Sequence, residues 1–203
     1  AQSPTLLPAT VNGYLPPVQH GNGQLEYAPD LQVAYDEQSL FKNSGYPTNA
    51  VIATILSAGC TIYTSGICPN VTAGFDPSDV YAFFNETFPS DEPHPTVYGV
   101  PLQGAPPPGP SASYDVTGAN VENTLDLEMV GSAAPGASIY NVYSSSSTVE
   151  GLDSAFAFIL NPNASFSSLN QVSVISNSWA TTDSNDSSWF QDLEEAQARG
   201  ITV

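Results

Sequence analysis

Short apolar runs rich in β-branched residues recur along this chain, and each interval between them carries residues at helical spacing. Ala50-Val-Ile-Ala-Thr-Ile-Leu, Thr96-Val-Tyr-Gly-Val, Ala137-Ser-Ile-Tyr-Asn-Val-Tyr and Val172-Ser-Val-Ile-Ser read as strands. Helical spacing covers Leu31 to Phe41, Pro77 to about Phe88, Val121 to Ala133, Val149 to Leu160 and Ser187 to Arg199. Asp76-Pro77-Ser78-Asp79 supplies an N-cap, a proline at the first helical position and an acid at the third. Pro135-Gly136 and Gly200 supply stops. Strands that alternate with helices imply βαβ crossovers, hence an α/β fold with a largely parallel sheet and helices on both faces. Gly104 to Pro110 is a proline-rich loop that cannot enter a sheet interior. Ile201-Thr202-Val203 begins a further strand, so the sheet is expected to be incomplete in this chain and continued by residues outside it.

At 203 residues and 41% hydrophobic content the chain is long enough for one sizeable core. Residues 1–29 are rich in Pro, Gly and Asn without sustained periodicity, and read as an extended arm or the remnant of a removed pro-segment. Residues 30–203 form the folded domain.

Lys42 and Arg199 are the only strong bases against 20 acids, for a formal net charge of -18 and a sequence pI near 4.1. Nucleic acid and anionic lipid are captured by basic patches that this chain cannot build. Acid usually unfolds proteins by protonating paired carboxylates and leaving positive charges uncompensated. With two strong bases there is little here to repel in acid, whereas at neutral pH the chain repels itself. A working environment well below pH 7 is the expectation. No run approaches the roughly 18 to 20 apolar residues of a membrane span, and no charged-then-apolar signal peptide opens the chain, so soluble, already processed material is expected.

Cys60 and Cys68 bracket a short polar loop with no histidine or third cysteine near enough to complete a zinc site. A local disulfide fits this spacing better than two free thiols and favours an oxidising compartment. Asn70, Asn85, Asn163 and Asn185 stand in N-glycosylation sequons, in agreement with secretion.

Glu122 and Asp126 lie one turn apart on a helix, so their carboxylates share a face. Together with Glu128 they read either as a solvated acidic stripe or as a working pair crowded by Leu125, Met129 and Val130. In the second case the two acids share a proton, which lifts one of them into a range useful for acid–base chemistry at low pH. Ser144 to Ser147 read as a polar loop rather than as nucleophiles, and His20 and His94 as surface residues.

The run from Glu122 through Asp126 to Ala134-Pro-Gly-Ala137 resembles the motif of the sedolisins, the serine-carboxyl peptidases. Val174-Ile-Ser-Asn-Ser178-Trp179 is similar to the family strand ending in Ser-Trp-Gly, with Ala180 where the family has Gly. Ala198-Arg-Gly-Ile-Thr-Val203 and Tyr27-Ala-Pro-Asp-Leu-Gln-Val-Ala-Tyr35 resemble the following junction and the start of the mature enzyme, so the likeness spans roughly residues 27 to 203.

The resemblance implies the N-terminal part of a subtilisin-like catalytic domain with a Ser-Glu-Asp triad. Glu122 would be the general base and Asp126 would orient and charge-couple it. A carboxylate of pKa roughly 4 still accepts a proton in acid, where an imidazole cannot. Asp183, with Asp186 as the fallback, would donate a hydrogen bond to the developing oxyanion. The family serine, in a Gly-Thr-Ser segment, and the family calcium site lie downstream of any position in this chain. A second chain, or a C-terminal part of the same one, is therefore expected to bring the serine, in an acid-active endopeptidase of secreted or lysosome-like surroundings that acts on peptides and proteins. The alternative is a catalytically inactive surface or assembly subunit that retains the scaffold.

Overall fold

The computed structural model describes residues 31–33, 35–64, 67–110, 115–180 and 186–203. The arm assigned to residues 1–29, and His20 within it, lie outside the described residues.

Four strands, β1 (Val51–Ser57), β2 (Thr96–Leu102), β3 (Ser138–Ser144) and β4 (Val172–Asn177), form one sheet in the order β2-β3-β1-β4. Every pairing among them is parallel. All seven residues of β1 are buried, as a central strand covered on both faces requires. Helices α2 (Pro77–Thr87) and α3 (Ala119–Ala133) cover one face, and α4 (Val149–Leu160) and α5 (Ser187–Ala198) the other. The chain is thus an α/β protein with helices on both sides of a parallel sheet, an architecture compatible with a subtilisin-like frame.

Pleating divides the core. Val51, Ala53 and Ile55 of β1 and Tyr140 and Val142 of β3 meet Leu152, Phe156 and Ile159 of α4. Ile139 and Tyr143 of β3 turn the other way, onto Phe84 of α2 and Leu127 of α3. Phe84 also sits hard against α3, because a Cβ at Gly131 would lie 2.5 Å from its Cζ. In β4 the register slips between Val51 and Ile52, from Val51 opposite Val172 to Ile52 opposite Val174. The extra residue, Ser173, lets Val172 and Ile175 both face α4 despite their odd spacing.

Local signals explain the helix ends. The Asp76 side chain accepts from the Ser78 N–H at 2.9 Å, Thr148 from the Gly151 N–H at 3.3 Å, and Asp186 from the Ser188 and Trp189 N–H groups at 3.0 and 3.2 Å. Asp186 holds α5 in place as Trp189 packs between Phe156 and Trp179.

Two expectations need correction. Leu31 to Phe41 is not one helix: residues 31–33 are helical, Asp36 enters the left-handed region at φ 57°, and α1 runs Glu37–Ser44 with no buried residue. Apolar spacing continued across the break because Leu40 and Val33 are exposed rather than packed. Ser144 is the last residue of β3 rather than loop, fully buried with its hydroxyl donating to Gln103 Oε1 at 2.8 Å. Thr202 does extend the sheet: it bridges in parallel to Val174, accepting from Ile175 N–H and donating to Ser173 C=O.

Cys60 and Cys68 form a disulfide, with Cα atoms 5.9 Å apart. Among the described residues no helix is long and apolar enough to cross a membrane. His94 is exposed, its ring against those of Phe84 and Phe88, and Asn70, Asn85 and Asn163 are exposed as well. Asn185 lies outside the described residues.

Candidate active site

The carboxyl ends of β1, β3 and β4 open into a cleft of about 670 Å³. Such crevices, beyond the carboxyl ends of parallel strands, are where open α/β sheets bind their ligands. Leu56 and Ser57 of β1 form the floor, Ser147 and Ser178 come from the segments after β3 and β4, and the first turn of α3 from Gly118 to Glu122 forms a wall. Tyr63 of the disulfide loop closes one side.

That loop is tied to α3 by Asp115. One of its oxygens accepts from the Cys60 N–H at 2.8 Å and from the backbone N–H and hydroxyl of Thr117, and the other from the Asn120 N–H at 2.8 Å. Burial alone would push this carboxyl up, but the hydrogen bonds from Asn120, Thr117 and Cys60 outweigh it and hold Asp115 below the usual carboxylate range. Gly118 then opens α3 in the left-handed region, at φ 77°, a turn that a residue with a side chain enters at a cost.

The buried face of α3 is unusual for its polarity: Ala119, Asn123, Asp126, Leu127, Gly131 and Ser132. Asn123 donates to the carbonyls of Ser57 and Ala119 at 2.9 and 2.7 Å and accepts from Asn141 of β3 at 2.8 Å. The Asn141 amide also donates to Thr54 Oγ1 of β1 at 2.8 Å. All three side chains are fully buried, so this chain of amides and hydroxyl fixes α3 over the strand ends.

Glu122 and Asp126 come together on this helix. Glu122 lines the cleft, while Asp126 is only 7% exposed on the sheet-facing side. Of the three apolar neighbours expected to crowd it, Leu125 is 45% exposed, whereas Met129 and Val130 are half-buried and Val130 packs against the core. Asp126 Oδ1 accepts from the Ser178 hydroxyl at 2.6 Å, and Oδ2 is buried with no hydrogen-bond partner among the described residues. Burial pushes the Asp126 carboxyl above its ordinary range, the Ser178 bond opposes this, and the charge of Glu122 adds to it. A buried acid beside an acid at a cleft mouth keeps its proton to higher pH than a free one and can pass or receive it there.

Asp183 lies outside the described residues. Asp186 is engaged as the cap of α5 and is not among the residues that line the cleft. Burial and the adjoining Asp186 raise Asp153 to about 6, a coupling on the α4–α5 side of the sheet, away from Glu122. No group of three or more His, Cys, Asp or Glu among the described residues is arranged to hold a metal ion. Neither protein-family models nor curated proteins give a match to this sequence.

Proposed function

We propose that this chain carries the Glu/Asp half of an acid-active, serine-type endopeptidase site, with the nucleophilic serine supplied by a second chain or by a C-terminal part beyond these residues. The observation that carries the reading is the pair itself: Glu122 on the cleft wall, with Asp126 buried one turn behind it and pushed toward the protonated form. In this reading Glu122 takes the proton of the serine as it attacks a peptide carbonyl and later returns it to the leaving amine. Asp126, behind the base, orients it and stabilises its charge change, as the third member of a triad does. Asp183 would donate to the oxyanion in its protonated form, which restricts the reaction to acid. The disulfide and the exposed sequon residues Asn70, Asn85 and Asn163 suit a secreted glycoprotein.

The test is Glu122→Gln in the complete protein. Cleavage of peptides at about pH 3 to 4 should be lost, with the circular dichroism spectrum unchanged, since a glutamine cannot accept the proton. Undiminished cleavage by the variant would remove the assignment. A serine-directed active-site probe that labels nothing in the native material would favour the inactive scaffold instead.

A further inference from the structure

Ser178 is exposed on the cleft side, yet its hydroxyl is committed to a carboxyl oxygen that belongs to the buried face of α3. The strand register explains how it gets there. With Ala53 opposite Ile175 and Ile55 opposite Asn177, the next residue of the segment after β4 turns toward α3. Trp179, packed against Trp189, anchors the following residue on the opposite face. The hydroxyl is thus placed by the sheet and by an aromatic anchor.

A carboxyl group that carries one proton can hold it on either oxygen. At Asp126 the two oxygens differ: Oδ1 accepts from Ser178 at 2.6 Å, and Oδ2 is buried without a partner. An oxygen already accepting so short a bond is a poor place for the proton, because two hydrogens would then crowd one contact. We propose that Ser178 is a positioning residue of the acid pair: its hydroxyl occupies Oδ1 of Asp126 and so confines the proton of that acid to Oδ2. The proposal rests on the peptidase reading for its catalytic meaning, and on the geometry alone for the placement of the proton. Glu122, on the same helix, is the charge that acts on Asp126; from the strand side the group facing it is the Ser178 hydroxyl.

Two variants test it. In Ser178→Ala the donor is lost and Oδ1 is left buried and bare, whereas Ser178→Thr keeps a hydroxyl at the same place. Carbon-13 NMR of the Asp126 carboxyl in this protein should show its titration midpoint move to higher pH in Ser178→Ala and return in Ser178→Thr. With the serine-bearing part present, kcat for peptide cleavage should fall on the order of tenfold in the alanine variant with KM unchanged, and recover with threonine. The alkaline limb of the pH–rate profile, where Asp126 loses its proton, should shift with the NMR midpoint. An unmoved Asp126 midpoint in Ser178→Ala overturns the proposal, and so does a moved midpoint with cleavage at the wild-type rate. If the midpoint moves and returns while the wild type cleaves no peptide, the peptidase reading falls and the placement of the proton by Ser178 stands.

Discussion

At the scale of single residues, position in the sequence reveals some partners and hides others. Glu122 and Asp126 were legible because a helix turns every 3.6 residues, so their spacing alone put them on one face. Ser178 was not, because its contact with Asp126 joins residues 52 apart and depends on how β4 registers against β1. Asn123 and Asn141 were hidden for another reason: an amide in a helix or strand reads as a surface residue until its burial is seen. Their network predicts a large cost for a small change. Asn141→Ala strips a donor from both Asn123 Oδ1 and Thr54 Oγ1 in a dry interior, and should destabilise the fold by about 2 to 3 kcal/mol in urea unfolding. A cost within experimental error would mean that water enters beneath α3.

The elements themselves were legible to within a residue or two wherever a strand or helix packs apolar side chains, as in β1, β3 and α4, whose faces follow the expected periods. The stretch from Leu31 to Phe41 departs from its pattern because apolar spacing marks a helix only when the face is buried, and α1 buries nothing. For α3 the difficulty runs the other way. Apart from Ala119 and Leu127 its inner face is built from Asn, Asp, Gly and Ser, so hydrophobic periodicity gives little hint of which side meets the sheet. Leu127 and polar ties together set its position, and one of those ties runs through Asp115 to the disulfide loop that carries Tyr63. Replacing both Cys60 and Cys68 by Ser should lower stability by about 2 to 3 kcal/mol through the freed loop entropy of the unfolded chain. Thermal unfolding with and without reductant measures this, and a reductant-insensitive midpoint in the wild type would contradict it.

Over the whole molecule, the excess of acids becomes a dependence of stability on pH. Burial raises Asp126, Glu92, Glu128, Glu37 and Asp192, and raises Asp153 to about 6 from an ordinary 3.8. Each raised acid binds its proton more tightly folded than unfolded. Its contribution is complete below the ordinary value and disappears as pH climbs through the folded one; for Asp153 that window runs from 3.8 to about 6. Asp115, whose value is lowered, works in the opposite sense and loses its contribution only as pH falls through its folded value. The raised acids outnumber it, so the thermal midpoint should be higher near pH 4 than near pH 7 in scanning calorimetry; a rise toward neutrality would count against an acid-adapted fold. Gln32 adds a local consequence. Fully buried, it donates to Glu92 Oε1 at 2.7 Å and to the Ser132 carbonyl at 3.0 Å, and so clasps the residues before α1 to the far end of α3. The other oxygen of Glu92 has no hydrogen-bond partner among the described residues, and Asp91 and Glu37 lie nearby, so deprotonation would leave a buried charge beside two further acids. The clasp is therefore fastened by acid and loosened by neutrality, and a protease should nick the chain ahead of α1 at pH 7 under conditions that spare it at pH 4.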